Sequence, residues 1–245
     1  MAGDPDLETT VLLLHALTGA GADVIELGIP YGDPLADGPT VAAAGQRALA
    51  SGTTLPTVLA LMRLHRDAIA PVVLFTYYNP VYQYGQQRFA RDAAAAGCAG
   101  AIVPDLALEE AAQLRKVLKA ASLEMPLLVA PSTPKKRARR IVGASSGFVY
   151  VVSRLGVTGA GTAPNMEPLY AQLAELREMT DSPLAVGFGI SRAQDVERLK
   201  GHADAFVVGS ALIDAYAGSE GEEAAARVAA AAAALTAEAR LPTPQ

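Results

Sequence analysis

The chain has one cysteine, three histidines and no apolar run of about 18 residues, and each scarcity removes a class of function. Cys98 alone can form neither an intramolecular disulfide nor a cysteine-only metal site. Set among small residues in AAAAGCAG, at a helix end, it is expected to be a packed, inert thiol rather than a nucleophile, and a reducing, cytoplasmic location fits. His15, His65 and His202 lie far apart in the sequence, with no carboxylate or second histidine at ligand spacing, so no metal site is assigned. The N-terminus lacks a basic, apolar signal segment, and neither secretion nor membrane insertion is expected. Positive charge is also short: 20 Lys and Arg face 25 Asp and Glu, a formal net charge of -5, which argues against a nucleic-acid ligand. The one basic run, PKKRARR at 134–140, starts at a proline and reads as the solvated first turns of a helix.

What the chain does have is apolar sequence, 51% of 245 residues, enough for one large core and a single domain spanning 1–245. Runs rich in Val, Ile and Leu mark strands at 23–29, 71–77, 100–105, 126–131, 147–153, 183–189 and 205–210. Their hydrophobicity is continuous rather than alternating, as in a parallel sheet covered on both faces. Helical patterns fall near 6–20, 53–69, 85–97, 108–121, 135–144, 165–180 and 191–200, and from Ala211 onward. Strict strand–helix alternation specifies an α/β fold. The chain opens with MAGDP leading straight into a helix, so the reading is a TIM (β/α)8 barrel that lacks its first β-strand or is truncated there. Either the start lies upstream of Met1, or residues 1–5 are the C-terminal remnant of that strand. The tail EEAAARVAAAAAALTAEAR at 222–240 predicts a last outer helix, with LPTPQ frayed behind it.

In such barrels chemistry gathers at the C-terminal ends of strands and in the loops that follow. Glu26 sits there within IELG, Asp37 in the next loop, GDPLADGP, and Tyr77, Asn79, Asp105 and Ser153 at later strand ends. Asp33, which precedes a proline, reads as a turn former. Two glycine clusters, GFGIS at 187–191 and VGSAL at 208–212, fall at the last two strand-to-helix junctions. There, missing β-carbons and a helix N-terminus favour a phosphate ester over simple tight packing. A third glycine-rich stretch, SRLGVTGAGTAP at 153–164, has the composition of a lid.

GADVIELGIPYGDPLADGP, TYYNPVYQYG, VPDL, SRLGVTGAGT, VGFGIS and VGSAL, in this order and spacing, resemble the tryptophan synthase alpha subunit family from AGDP to about residue 216. The resemblance implies a lyase: reversible retro-aldol cleavage of indole-3-glycerol phosphate to indole and glyceraldehyde 3-phosphate. It implies Glu26 and Asp37 as the catalytic carboxylates and Tyr150 as an active-site tyrosine near the glutamate. Thr158 and Gly159 match the lid pair, the glycine amide meeting phosphate, while Gly189, Gly209 and Ser210 match the remaining phosphate ligands. Tyr77 and Asp105 match pocket positions near the indole and the partner-facing loops. The implied partner is a beta subunit, in a heterotetramer of two alpha and two beta subunits. The alpha chain is expected to carry no cofactor, pyridoxal phosphate belonging to the beta subunit.

The chemistry explains the residue types. Carbon–carbon cleavage needs a proton at indole C3, removal of the glycerol hydroxyl proton and stabilisation of charge at the ring nitrogen. Two carboxylates can divide that work. This chain departs from the family at Gly32, where relatives usually carry serine, and in having only Met1 before AGDP, where the family's first strand ends. Three other readings stand beside the leading one: a stand-alone lyase releasing free indole, a truncated non-catalytic module that docks on and activates the beta subunit, and another phosphosugar barrel such as an epimerase.

Overall fold

The computed structural model describes residues 1–153, 165–187 and 189–240. In chain order the first elements are α1 (Leu7–Gly19), β1 (Ile25–Gly28), α2 (Pro39–Ala50), α3 (Leu55–His65), β2 (Val72–Phe75), α4 (Tyr78–Tyr84), α5 (Gln86–Ala95), β3 (Cys98–Ile102) and α6 (Ala112–Ala120). There follow β4 (Leu127–Val129), α7 (Lys135–Val142), β5 (Val149–Val152), α8 (Glu167–Arg177), β6 (Leu184–Gly187), α9 (Ala193–Leu199), β7 (Ala205–Val207), α10 (Ser210–Tyr216) and α11 (Gly221–Arg240). Contacts divide the chain into two compact units, one of Met1–Met125 with Leu212–Thr236 and one of Pro126–Ala211 with Ala237–Gln245.

In the first unit β1, β2 and β3 pair in parallel and in sequence order. The register sets Glu26 beside Val73 and Gly28 beside Phe75. Since side chains alternate across a strand, Ile25 and Leu27 are buried on one face while Glu26 and Gly28 turn to the other. Local chemistry fixes the helix starts. The Asp6 carboxylate accepts the Thr9 N–H at 2.6 Å ahead of α1, and Thr54 and Thr57 form a reciprocal cap on α3. One apolar cluster joins Leu13, Ala44, Ile213, Tyr216, Ala224 and Val228, with the Met1 side chain packed against it. In the second unit β4, β5, β6 and β7 also pair in parallel and in order.

Each of the seven expected strands is present, shorter by a residue or more than its apolar run suggests, apart from an earlier start for β3. Two helices escape the sequence reading, α2 and α4. Both contain a proline that reads as a loop signal. Pro39 opens α2, where its fixed φ suits the first turn and its missing N–H is no loss, and Pro80 lies in the first turn of α4. Cys98 is buried as expected, but it starts β3 rather than ending a helix. His15 and His65, distant in sequence, meet edge to face at 5.8 Å between α1 and α3. The expected strand remnant has one counterpart, the Ala2 N–H donating to the Gly28 carbonyl at 2.9 Å. Among the described residues no helix is long and apolar enough to cross a membrane.

Candidate active site

Glu26 occupies the second position of β1, a charged side chain in an otherwise apolar strand. Burial pushes its carboxyl up to about 7, the charge of Asp37 adds to that, and the Met1 amino group opposes it. Asp37 closes the loop that leaves β1 and stands one residue ahead of Gly38, the N-cap of α2. Burial raises its carboxyl above the ordinary range, against the Tyr77 hydroxyl and the Met1 amino group, which favour the ionised form. The two carboxylates are thus close enough in space to influence each other, as their spacing in IELGIPYGDPLAD suggests.

Tyr77 organises the wall beside them. Almost fully buried, at 2% exposure, it accepts the Ala36 N–H at 3.0 Å through its hydroxyl, holding the loop one residue before Asp37. Burial raises its own pKa. Its ring packs on Tyr31 at 5.3 Å and edge-on to Phe75 at 6.3 Å, while the Asn79 amide donates to the Tyr31 hydroxyl at 3.4 Å. Tyr31 has no role in the sequence reading, although an aromatic five residues after Glu26, in the same loop as Asp37, is a signal of a pocket wall. Asp105 is exposed and accepts the Tyr78 N–H with both oxygens, at 2.9 and 3.1 Å. It thereby caps α4 and fixes the peptide that follows Tyr77.

In the second unit Tyr150 lies buried on β5. Its ring covers Gly187 at the end of β6 so closely that a β-carbon there would collide with the hydroxyl and the ring. Ser153 ties the same point: its N–H and hydroxyl both donate to the Gly187 carbonyl, at 2.9 and 3.1 Å. Gly189 turns with φ +88, a conformation that favours glycine, and is exposed. The Ser191 and Arg192 N–H groups donate to the Asp195 carboxylate at 3.1 and 3.0 Å, so α9 is capped from within. Gly209 and Ser210 are exposed at the start of α10, which begins at Ser210 as the sequence suggests. Thr158, Gly159 and the rest of the expected lid from residue 154 lie outside the described residues. Among the described residues no group of three or more His, Cys, Asp or Glu side chains could hold a metal ion.

A family profile described as "Tryptophan synthase alpha chain" matches residues 1–240. A tryptophan synthase alpha chain from Synechocystis sp. is 50% identical over 214 residues, which cover 86% of this chain and 81% of that one. Among solved structures, tryptophan synthase from Mycobacterium tuberculosis superposes with a TM-score of 0.89 at 37% identity, covering 98% of this chain and 90% of that chain. A tryptophan synthase complex from Pyrococcus furiosus gives a TM-score of 0.86 at 34% identity, covering 96% and 95%. The parallel strands, paired in order and joined by helices, are accordingly those of the TIM (β/α)8 class. Profile, relatives and fold agree, and this chain belongs to the tryptophan synthase alpha chain family.

Proposed function

We propose that Glu26 and Asp37 are the acid–base pair with which this chain, a lyase of tryptophan biosynthesis, cleaves indole-3-glycerol phosphate to indole and glyceraldehyde 3-phosphate. The observation that carries the assignment is a part-buried carboxyl in an otherwise apolar strand, raised to about 7 and close enough to a second carboxylate to feel its charge. Asp37 accepts the indole N–H, favouring positive charge at the ring nitrogen. Glu26 in its protonated form delivers a proton to C3. The same carboxylate then takes the glycerol hydroxyl proton as the carbon–carbon bond breaks and the aldehyde forms, which restores its starting state. Each proton transfer of this kind is worth about 10²- to 10⁴-fold.

Within the same proposal Tyr77, Asp105, Tyr150 and Thr158 contact the substrate, and Gly159, Gly189, Gly209 and Ser210 hold its phosphate. The reaction calls for no metal or organic cofactor in this chain. The natural assembly is a cytoplasmic heterotetramer with the tryptophan synthase beta subunit, which carries pyridoxal phosphate and consumes the indole, and residues 1–245 act as one domain. A solved complex of the Pyrococcus furiosus relative supports the existence of such a partner.

Indole release from indole-3-glycerol phosphate, measured with and without a beta subunit, tests this reading. Release should rise with the beta subunit and fall at least about 100-fold in Glu26→Gln and in Asp37→Asn. Full turnover in either variant would remove that carboxylate from the mechanism. High turnover of the isolated chain would instead identify a stand-alone lyase.

A further inference from the structure

The segment that leads into α1 makes a set of contacts that no step of the chemistry uses. Asp4 is 1% exposed, yet it carries a carboxylate. The Arg47 guanidinium grips it in a fork, Nε to Oδ1 at 2.7 Å and Nη2 to Oδ2 at 2.9 Å, and the Tyr216 hydroxyl donates to Oδ2 at 2.7 Å. Two residues earlier the Ala2 N–H is bonded to the Gly28 carbonyl of β1, and between them the Gly3 N–H donates to the Thr10 hydroxyl at 2.8 Å. Gly28 follows Glu26 by two residues in β1, while Arg47 lies in α2, the helix whose N-terminal end adjoins Asp37.

We propose that Asp4 and Arg47 are positioning residues: the Ala2–Asp4 segment ties the strand bearing Glu26 to the helix that follows Asp37 and so sets the separation of the two carboxylates. This rests on the catalytic reading of Glu26 and Asp37 given above. The packing of α2 explains why a polar tie is needed. Its buried positions are Ala44, Gly45 and Ala48, small residues that fill space but key the helix weakly, with Val41 packed part-buried against the core cluster beside them. A two-point Arg–carboxylate fork fixes both distance and orientation, which a smooth apolar face does not. Eight residues of helix, about 12 Å at 1.5 Å per residue, separate Arg47 from Pro39, so α2 carries a shift at the fork to the Asp37 end as a rigid rod.

Two variants test the tie without leaving a lone buried charge. Arg47→Lys keeps the charge but loses the fork, and the double variant Asp4→Asn with Arg47→Gln replaces the ion pair by neutral hydrogen-bonding groups. Both should fold, as judged by circular dichroism and urea midpoint, yet lose about 10- to 100-fold in kcat, the effect of misplacing a reacting group by about 1 Å. KM for indole-3-glycerol phosphate should stay within about threefold, because no group that touches substrate has changed. The pH limb governed by Glu26 should shift, since Asp37 acts on that group through space. Tyr216→Phe, which frees Asp4 of one bond but leaves the fork, should lower kcat less.

Folded variants with unaltered kcat and pH limb would overturn the proposal and leave the fork a purely structural contact. Parallel assays of Glu26→Gln and Asp37→Asn separate the two claims. If those variants keep their turnover, the catalytic reading itself fails, and the positioning role with it. If they are inactive while Arg47→Lys works at full rate, the positioning role alone is refuted.

Discussion

Glu26→Gln should make the protein more stable at alkaline pH while it abolishes cleavage. In the folded chain burial and Asp37 raise the Glu26 carboxyl from 4.5 to about 7. The folded state therefore holds a proton that the unfolded state releases. Stability from this source is fully present below about 4.5 and is lost as pH rises through about 7. Moving a carboxyl between those values corresponds to about 3 kcal/mol, at about 1.36 kcal/mol per pH unit. Glutamine mimics the protonated form at every pH and escapes the loss. Urea unfolding followed by circular dichroism at a series of pH values measures the difference directly. The variant should gain less than about 1 kcal/mol over the native chain at pH 5 and about 3 kcal/mol at pH 8.5. A gap that stays flat across this range would show that Glu26 is not held protonated by the fold, and would remove the physical basis for its role as the acid.

Tyr77→Phe deprives the Ala36 N–H of its acceptor, for a loss of about 1 kcal/mol in urea unfolding. It also removes a hydroxyl that holds the Asp37 carboxyl down, so the acidic limb of the cleavage rate should move to higher pH; an unchanged profile would contradict the contact. Gly187→Ala places a methyl group where the Tyr150 ring already lies, and overpacking of about 1–3 kcal/mol should appear in the unfolding midpoint together with a raised KM. Full retention of both would mean that the ring moves aside freely. The Cys98 thiol is buried and pushed up to about 12, so a thiol reagent should leave the native protein unlabelled at pH 8 and react only after urea is added.

The parallel strands and the loop carrying Asp37 were legible because both depend on short-range pattern. Continuous apolar runs mark strands, and a lone glutamate inside one of them stands out whatever surrounds it. The α2 helix was obscured by the residue that starts it: proline marks a loop and a first helical turn equally well, and only the chain's path decides. Long-range pairings left no local trace. Asp4 and Tyr216 are 212 residues apart, and Tyr150 makes Gly187 obligatory from a neighbouring strand 37 positions earlier. Gly187 thus reads as half of a phosphate cluster in the sequence, while in the fold it is first of all the space a tyrosine ring requires. Asp105 shows the reverse, a residue marked by resemblance for the pocket whose visible work is to cap α4.

The proposed division of labour between the two carboxylates follows from where the chain puts each one. Glu26 projects from a strand whose partner in register, Val73, is apolar, and burial dominates its titration over the opposing Met1 amino group. Asp37 precedes a helix N-terminus, where the aligned peptide dipoles favour an anion, and it faces the Tyr77 hydroxyl. Burial raises both groups, but Asp37 has stabilisers of its charged form in the helix that follows it and in the Tyr77 hydroxyl. Two like groups whose surroundings pull their proton affinities apart are what an acid and a base need in order to coexist. In the proposed mechanism the protonated Glu26 gives its proton to C3 while Asp37 accepts the indole N–H. The charge of Asp37 in turn raises the Glu26 carboxyl and so favours its protonated form. Any change that separates the pair should therefore lower the protonated fraction of Glu26 as well as displace Asp37, so the proposed anchor on α2 would bear on both halves of the proposed chemistry.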